Sequence, residues 1–171
     1  MKTYIKSGVL AGIVLFFWGA FSWMVLPWHD ATLHRFVDGQ AVSNGLQDNA
    51  LQSGIYVTPM GMDHAGQQAY VFASVHLEGM PSSMVPALII SLCIQIIAAI
   101  LIAYLLSKTT GLTYYNRVRF VALFGLAAGI VTHLPYWNWF CFDATYTIVM
   151  MADLVIGWVL AGLVLAKFNN S

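Results

Sequence analysis

Charge is what this chain has least of: seven basic and seven acidic residues in 171, or 8%. Soluble domains carry about 25%. So few charges, beside 60% hydrophobic residues, exclude an ordinary water-soluble surface. The basic residues are scattered rather than clustered, which excludes a nucleic-acid footprint. Cysteine is scarce too. Cys93 and Cys141 make no C-x-x-C pair. They are expected at different depths, too far apart for the short Cα separation a disulfide needs. This predicts two free thiols and no thiol-redox chemistry. Enzyme signatures are also missing. There is neither an H-E-x-x-H zinc helix nor a G-x-S-x-G elbow. Asp143 and Asp153, ten residues apart on one expected helix, would stand about 15 Å from each other, too far for a catalytic carboxylate dyad. His29 and Asp30 suit a hydrolytic site in type, but the sequence supplies no nucleophile for them. The expectation is a protein that is not an enzyme.

Long apolar runs are what the chain has in abundance. A hydrocarbon core about 30 Å thick takes roughly 20 helical residues, and the runs 8–27, 85–106, 118–134 and 145–166 each approach or exceed that. The predicted fold class is an all-α integral membrane protein: a four-transmembrane-helix bundle with a small extracytoplasmic α+β insertion, short helices plus a β-hairpin, between helices 1 and 2. The first run follows Lys2 and Lys6 but is longer than the 7–15 residue core of a cleavable signal, so it reads as an uncleaved anchor.

Basic residues in short loops stay on the cytoplasmic side. Lys2, Lys6, Lys108, Arg117, Arg119 and Lys167 all flank the runs on one side, and Arg35 alone lies on the other. Both termini are therefore expected in the cytoplasm of a bacterium, the bilayer being the inner membrane. Six of the seven acids (Asp30, Asp38, Asp48, Asp63, Glu78 and Asp143) and all five histidines fall to the outer, periplasmic face. The expected segments are 1–27 (cytoplasmic N-terminus and first helix), 28–84 (extracytoplasmic cap), 85–107 (second helix), 108–117 (cytoplasmic loop), 118–134 (third helix), 135–144 (an interfacial aromatic turn) and 145–171 (fourth helix and cytoplasmic C-terminus).

Inside the cap, Pro27 ends the first helix and Asp30 is placed to cap a short helix running through Leu33 and Phe36. Asp38 is placed to cap another over about 40–49, because an aspartate accepts from the free amides of a first turn. The stretches GIYVTP and AYVFASVHLE are rich in the β-branched and aromatic residues that suit strands, so they predict a hairpin whose loop is PMGMDHAGQ.

Three groups of residues carry candidate chemistry. Asp153 is the one acid inside an apolar run, about ten residues into the fourth helix. Burying it is costly unless it is paired or protonated, and Gln95 on the second helix is the expected partner. That pair reads either as a helix–helix hydrogen bond or as one step of a proton or ion path. Gly8 and Gly12, and Gly125 and Gly129, have the G-x-x-x-G spacing that lets helices approach closely, either within the bundle or in a homo-oligomer. Met60, Met62 and His64 form M-x-M-x-H. Thioether and imidazole suit copper, and imidazole and carboxylate suit zinc, so these residues together with His76, Glu78 and His133 form a candidate copper or zinc site if the hairpin folds back over the bundle. The leading reading is a non-enzymatic membrane protein whose cap binds a protein partner or which serves as a subunit of a membrane assembly. Periplasmic metal handling and proton- or ion-coupled transport by an oligomer are the alternatives.

Overall fold

The computed structural model describes residues 3–61 and 66–168. It is mostly helical, with four helices long and apolar enough to cross a membrane and one two-stranded sheet. The chain separates into two compact units, residues 34–83 and the rest.

The larger unit is built from α1 (Thr3–Met24), α3 (Val85–Leu106), α4 (Tyr114–Phe140) and α5 (Ala144–Phe168). Their ends follow local chemistry. Pro27 has no N–H and pushes the residue before it out of helical conformation, so α1 stops short of it. Pro86 stands in the first turn of α3, where a missing N–H costs nothing. Thr113 caps α4 by accepting from the Asn116 amide at 3.3 Å, and Asp143 caps α5 by accepting from the Tyr146 amide at 2.8 Å.

Packing depends on small residues. A Cβ on Gly8 would lie 2.6 Å from the Ile100 Cα of α3, and one on Gly12 would lie 2.5 Å from the Ile96 Cα. The two glycines therefore let the backbones of α1 and α3 touch. Gly125 of α4 seats Trp158 of α5, whose Cβ would be 2.5 Å from an added Cβ, while Gly129 stands at ordinary distance from Leu154 and Met151. Both G-x-x-x-G pairs thus serve packing within one chain. Helix α5 lies between α1 and α4, meeting α1 at Gly157 and α4 at Gly162. Ala11, Leu15, Ala99, Ile102, Ala103, Val121, Trp158, Ala161 and Leu165 close the core.

The aromatic turn expected at 135–144 is mostly helix. Helix α4 runs past Leu134 and through Pro135 to Phe140, and the connection shrinks to Cys141–Asp143. The fixed φ of proline is compatible with a helix, and its cost there is one lost hydrogen bond and crowding of the preceding turn. The extra turn is held by aromatic contacts, Tyr136 with Phe140 at 5.7 Å and with Phe142 at 5.2 Å. It ends where Cys141 turns left-handed (φ 56°) and the Phe142 amide donates to the Tyr136 carbonyl. Cys141 and Cys93 are both free thiols.

The smaller unit holds α2 (Gly39–Asn49), β1 (Gly54–Thr58) and β2 (Val71–Val75). Asp38 caps α2, accepting from the Ala41 amide at 2.9 Å. The strands pair antiparallel, Gly54 opposite Val75 and Thr58 opposite Val71. The helix expected from Asp30 through Phe36 is only a 3-10 turn, Asp30–Thr32, in the larger unit. His29 rather than Asp30 stands at its cap position, and Leu33 is already extended. The short turn satisfies itself, since Thr32 Oγ1 donates to the His29 carbonyl and the Leu33 amide to the Asp30 carbonyl.

Candidate functional site

The polar cluster buried in the helical unit begins where α1 ends. After Pro27 the chain turns back on itself, with the Ala31 amide donating to the Pro27 carbonyl at 3.0 Å. This returns Trp28 and His29 to the last turn of α1. There the Trp28 indole N–H donates to Ser22 Oγ at 3.0 Å, and Ser22 Oγ lies 3.0 Å from His29 Nε2. The imidazole is only 1% exposed. Trp23 stacks on one face of it at 4.0 Å and 7°, while Trp28 meets it edge-on at 5.6 Å.

Helix α5 contributes the acid. Asp153 Oδ2 lies 3.7 Å from His29 Nε2, and the Asp153 side chain is 13% exposed. Its backbone carbonyl also accepts from the Trp18 indole at 3.0 Å. Gly157, one turn further on, makes room for Trp18, which would stand 3.0 Å from a Cβ there. The pair therefore lies beside the last two turns of α1. Among the described residues, two side-chain atoms are buried without a hydrogen-bond partner, His29 Nδ1 and Asp153 Oδ1.

Serine, histidine and aspartate in one cluster invite comparison with a hydrolytic triad, and the geometry does not fit one. In a triad the serine and the acid engage opposite ring nitrogens. Here both approach Nε2, and Nδ1 has neither. Ser22 is fully buried and its oxygen already accepts from Trp28. What remains within reach of these groups is to hold a proton between imidazole and carboxylate, or to hold a donor from elsewhere.

Gln95, the partner expected from sequence, lines a cleft of about 410 Å³ together with Asp153. However, Oδ1 has no hydrogen-bond partner and Oδ2 faces His29, so no Gln95–Asp153 bond is formed. Sequence reasoning left Ser22, Trp23, Trp28 and Trp18 out of the site. The available signal was Ser22 and His29 seven residues apart on either side of a helix-ending proline.

The residues of the candidate metal site are distributed differently. His76 and Glu78 do meet, Nδ1 to Oε2 at 3.3 Å, and both are exposed. They lie in the turn after β2 rather than on a strand face, because the strand stops at Val75. Glu78 Oε2 accepts from Ser53 Oγ at 2.8 Å, and Ser53 Oγ accepts from the Leu77 amide at 3.0 Å, which latches the base of the hairpin. The Ser53 hydroxyl first, the backbone next, and His76 last hold the Glu78 carboxyl below the ordinary glutamate range. Met60 is exposed in the hairpin loop. Met62, Asp63 and His64 lie outside the described residues. His133 belongs to α4 in the helical unit, beside Tyr136 and Tyr146. Among the described residues, no three His, Cys, Asp or Glu side chains gather as a metal would require.

No family model matches this chain, and comparison with curated proteins and with solved structures likewise returns no match.

Proposed function

We propose that this chain is an integral protein of a bacterial inner membrane, with four transmembrane helices and both termini in the cytoplasm. In this reading it catalyses no reaction of its own and presents the segment 34–83 to a protein partner on the periplasmic side. The supporting observation is the surface of that segment. Among its described residues only Ala50 and Val75 are buried, while Phe36, Val37, Leu51, Ile55 and Met60 are mostly or fully exposed. Exposed apolar side chains on a small water-facing segment are what a docking surface would use. Helix α2 buries none of its residues.

The test is co-purification from native membranes in mild detergent. A partner present in stoichiometric amount with the natural chain, and lost when Phe36 and Leu51 are both changed to serine, supports the reading. A chain that runs alone as a monomer before and after those changes rejects it.

The His29–Asp153 contact favours a second reading, proton- or ion-coupled transport by an oligomer, because a titratable pair inside a bundle is the usual mark of such a path. Proton flux into vesicles containing the protein, abolished by Asp153→Asn, is its expected signature.

A further inference from the structure

Helices α1 and α3 are not equally close along their length. At Gly8 and Gly12 their backbones touch, whereas a Cβ added to Gly19 would meet no heavy atom within 4 Å. The helices part there, and the cleft of about 410 Å³ lies in the gap. Leu15, Trp23 and Met24 of α1, Leu88 of α3 and Met84 just before it make its walls apolar, and Ser91, Gln95 and Asp153 interrupt them.

Asp153 gives this cleft its chemistry. Its Oδ1 is buried with no partner, and in apolar surroundings an acceptor left without a donor costs free energy. Asp153 lines the cleft with its side chain 13% exposed, and the last torsion of an aspartate is broad and roughly two-fold, so its two oxygens exchange places by rotation. No lysine or arginine lines the cleft among the described residues, so an anionic phosphate head has no counter-charge there. A hydrocarbon tail alone would leave the carboxylate as it is.

We propose that the cleft binds a lipid-soluble amphiphile whose apolar body lies between α1 and α3 and whose head, an amine or a hydroxyl, donates a hydrogen bond to Asp153. This rests on the membrane placement proposed above and is independent of the partner assigned to residues 34–83. The amphiphile enters from the bilayer. Trp23, stacked on His29, lies between this cleft and the buried imidazole, so an occupant would sit one ring away from the His29–Asp153 pair.

The test uses the full chain in phosphatidylcholine nanodiscs with two tritiated probes, dodecylamine and dodecylhydroquinone. Failure to enter the discs would reject the membrane placement itself, separately from the site. Saturable binding of at least one probe above protein-free discs is expected, weakened about tenfold or more by Gly19→Leu and by Asp153→Leu. Gly19→Leu places a side chain in open space and so tests the cleft without disturbing a packed interface. Asp153→Asn keeps an acceptor oxygen and removes the charge. It is expected to abolish binding of the amine if the head is cationic, and to spare the hydroquinone if the head is a hydroxyl. No saturable binding of either probe, or wild-type affinity in Gly19→Leu, overturns the site. Wild-type affinity in a folded Asp153→Leu variant overturns the assignment of the head.

Discussion

The two compact units of this chain use glycine, apolar side chains and hydrogen bonds in opposite ways. In the helical unit, glycines let helices touch and aromatic rings enclose a buried histidine. In residues 34–83, the described glycines meet nothing, two hydrophobic residues are buried, and most side-chain hydrogen bonds are exposed. One unit is held by close packing between distant parts of the chain, the other by short-range backbone pairing and capping. The same substitution should therefore have different consequences in each.

Alanine in place of glycine tests this most directly. Gly12→Ala forces a methyl group against the α3 backbone, and overpacking of that kind should destabilise the protein by about 2–3 kcal/mol, seen as a lowered melting temperature in detergent. Gly45→Ala, in α2 with nothing near it, should instead stabilise that helix by about 0.5–1 kcal/mol, read as slower amide exchange in α2. Equal effects at the two positions would break the comparison.

His29→Ala should come next in size, at about 2 kcal/mol, because it empties a space between Trp23 and Trp28 and removes the partner of a fully buried serine. The melting temperature should fall while exchange in α2 and the hairpin stays as it was. Asp38→Ala has the reverse pattern. It costs about 1 kcal/mol of helix stability, confined to exchange in residues 39–49, with the melting of the helical unit unchanged.

The smallest effect is a titration. Because the Glu78 carboxyl is held below its ordinary value by Ser53, the backbone and His76, its folded pKa lies below its unfolded one. The latch it supports is therefore fully present above the ordinary glutamate value of about 4.3 and is lost as pH falls from there through the lower folded pKa. Carbon-detected titration of the Glu78 carboxyl should give a midpoint below the ordinary glutamate value that rises in Ser53→Ala, and a midpoint at or above the ordinary value would contradict the latch.

Much of this arrangement is legible in the residues themselves. Hydrophobic run length marks the four long helices, and Asp38 marks the start of α2 because an N-cap acts over three residues. The hairpin is legible for the same reason, its β-branched runs being bounded by turn residues. The end of α4 is not, since the aromatic stretch from Pro135 reads as an interfacial turn and the aromatic contacts around Phe140 depend on Phe142 and Tyr146 after the turn. Nor is the partner of Asp153 legible. Gln95 is at a suitable depth on another helix, but His29, which reads as part of an outer loop, takes the place.

By itself, then, the sequence determined which segments are long apolar helices, where their caps and close-packed glycines fall, and that one acid lies among hydrocarbon residues. These depend on spacing within a few turns of chain. Only the tertiary structure decided that the chain turns back after Pro27, that Trp18, Trp23, Ser22 and Trp28 enclose His29 and Asp153, and that α1 and α3 part at Gly19. Bringing Asp153 to that cluster requires side chains 124 residues apart to meet, as His29 and Asp153 do, and the parting at Gly19 requires helices packed at one end and open at the other. No local pattern records either.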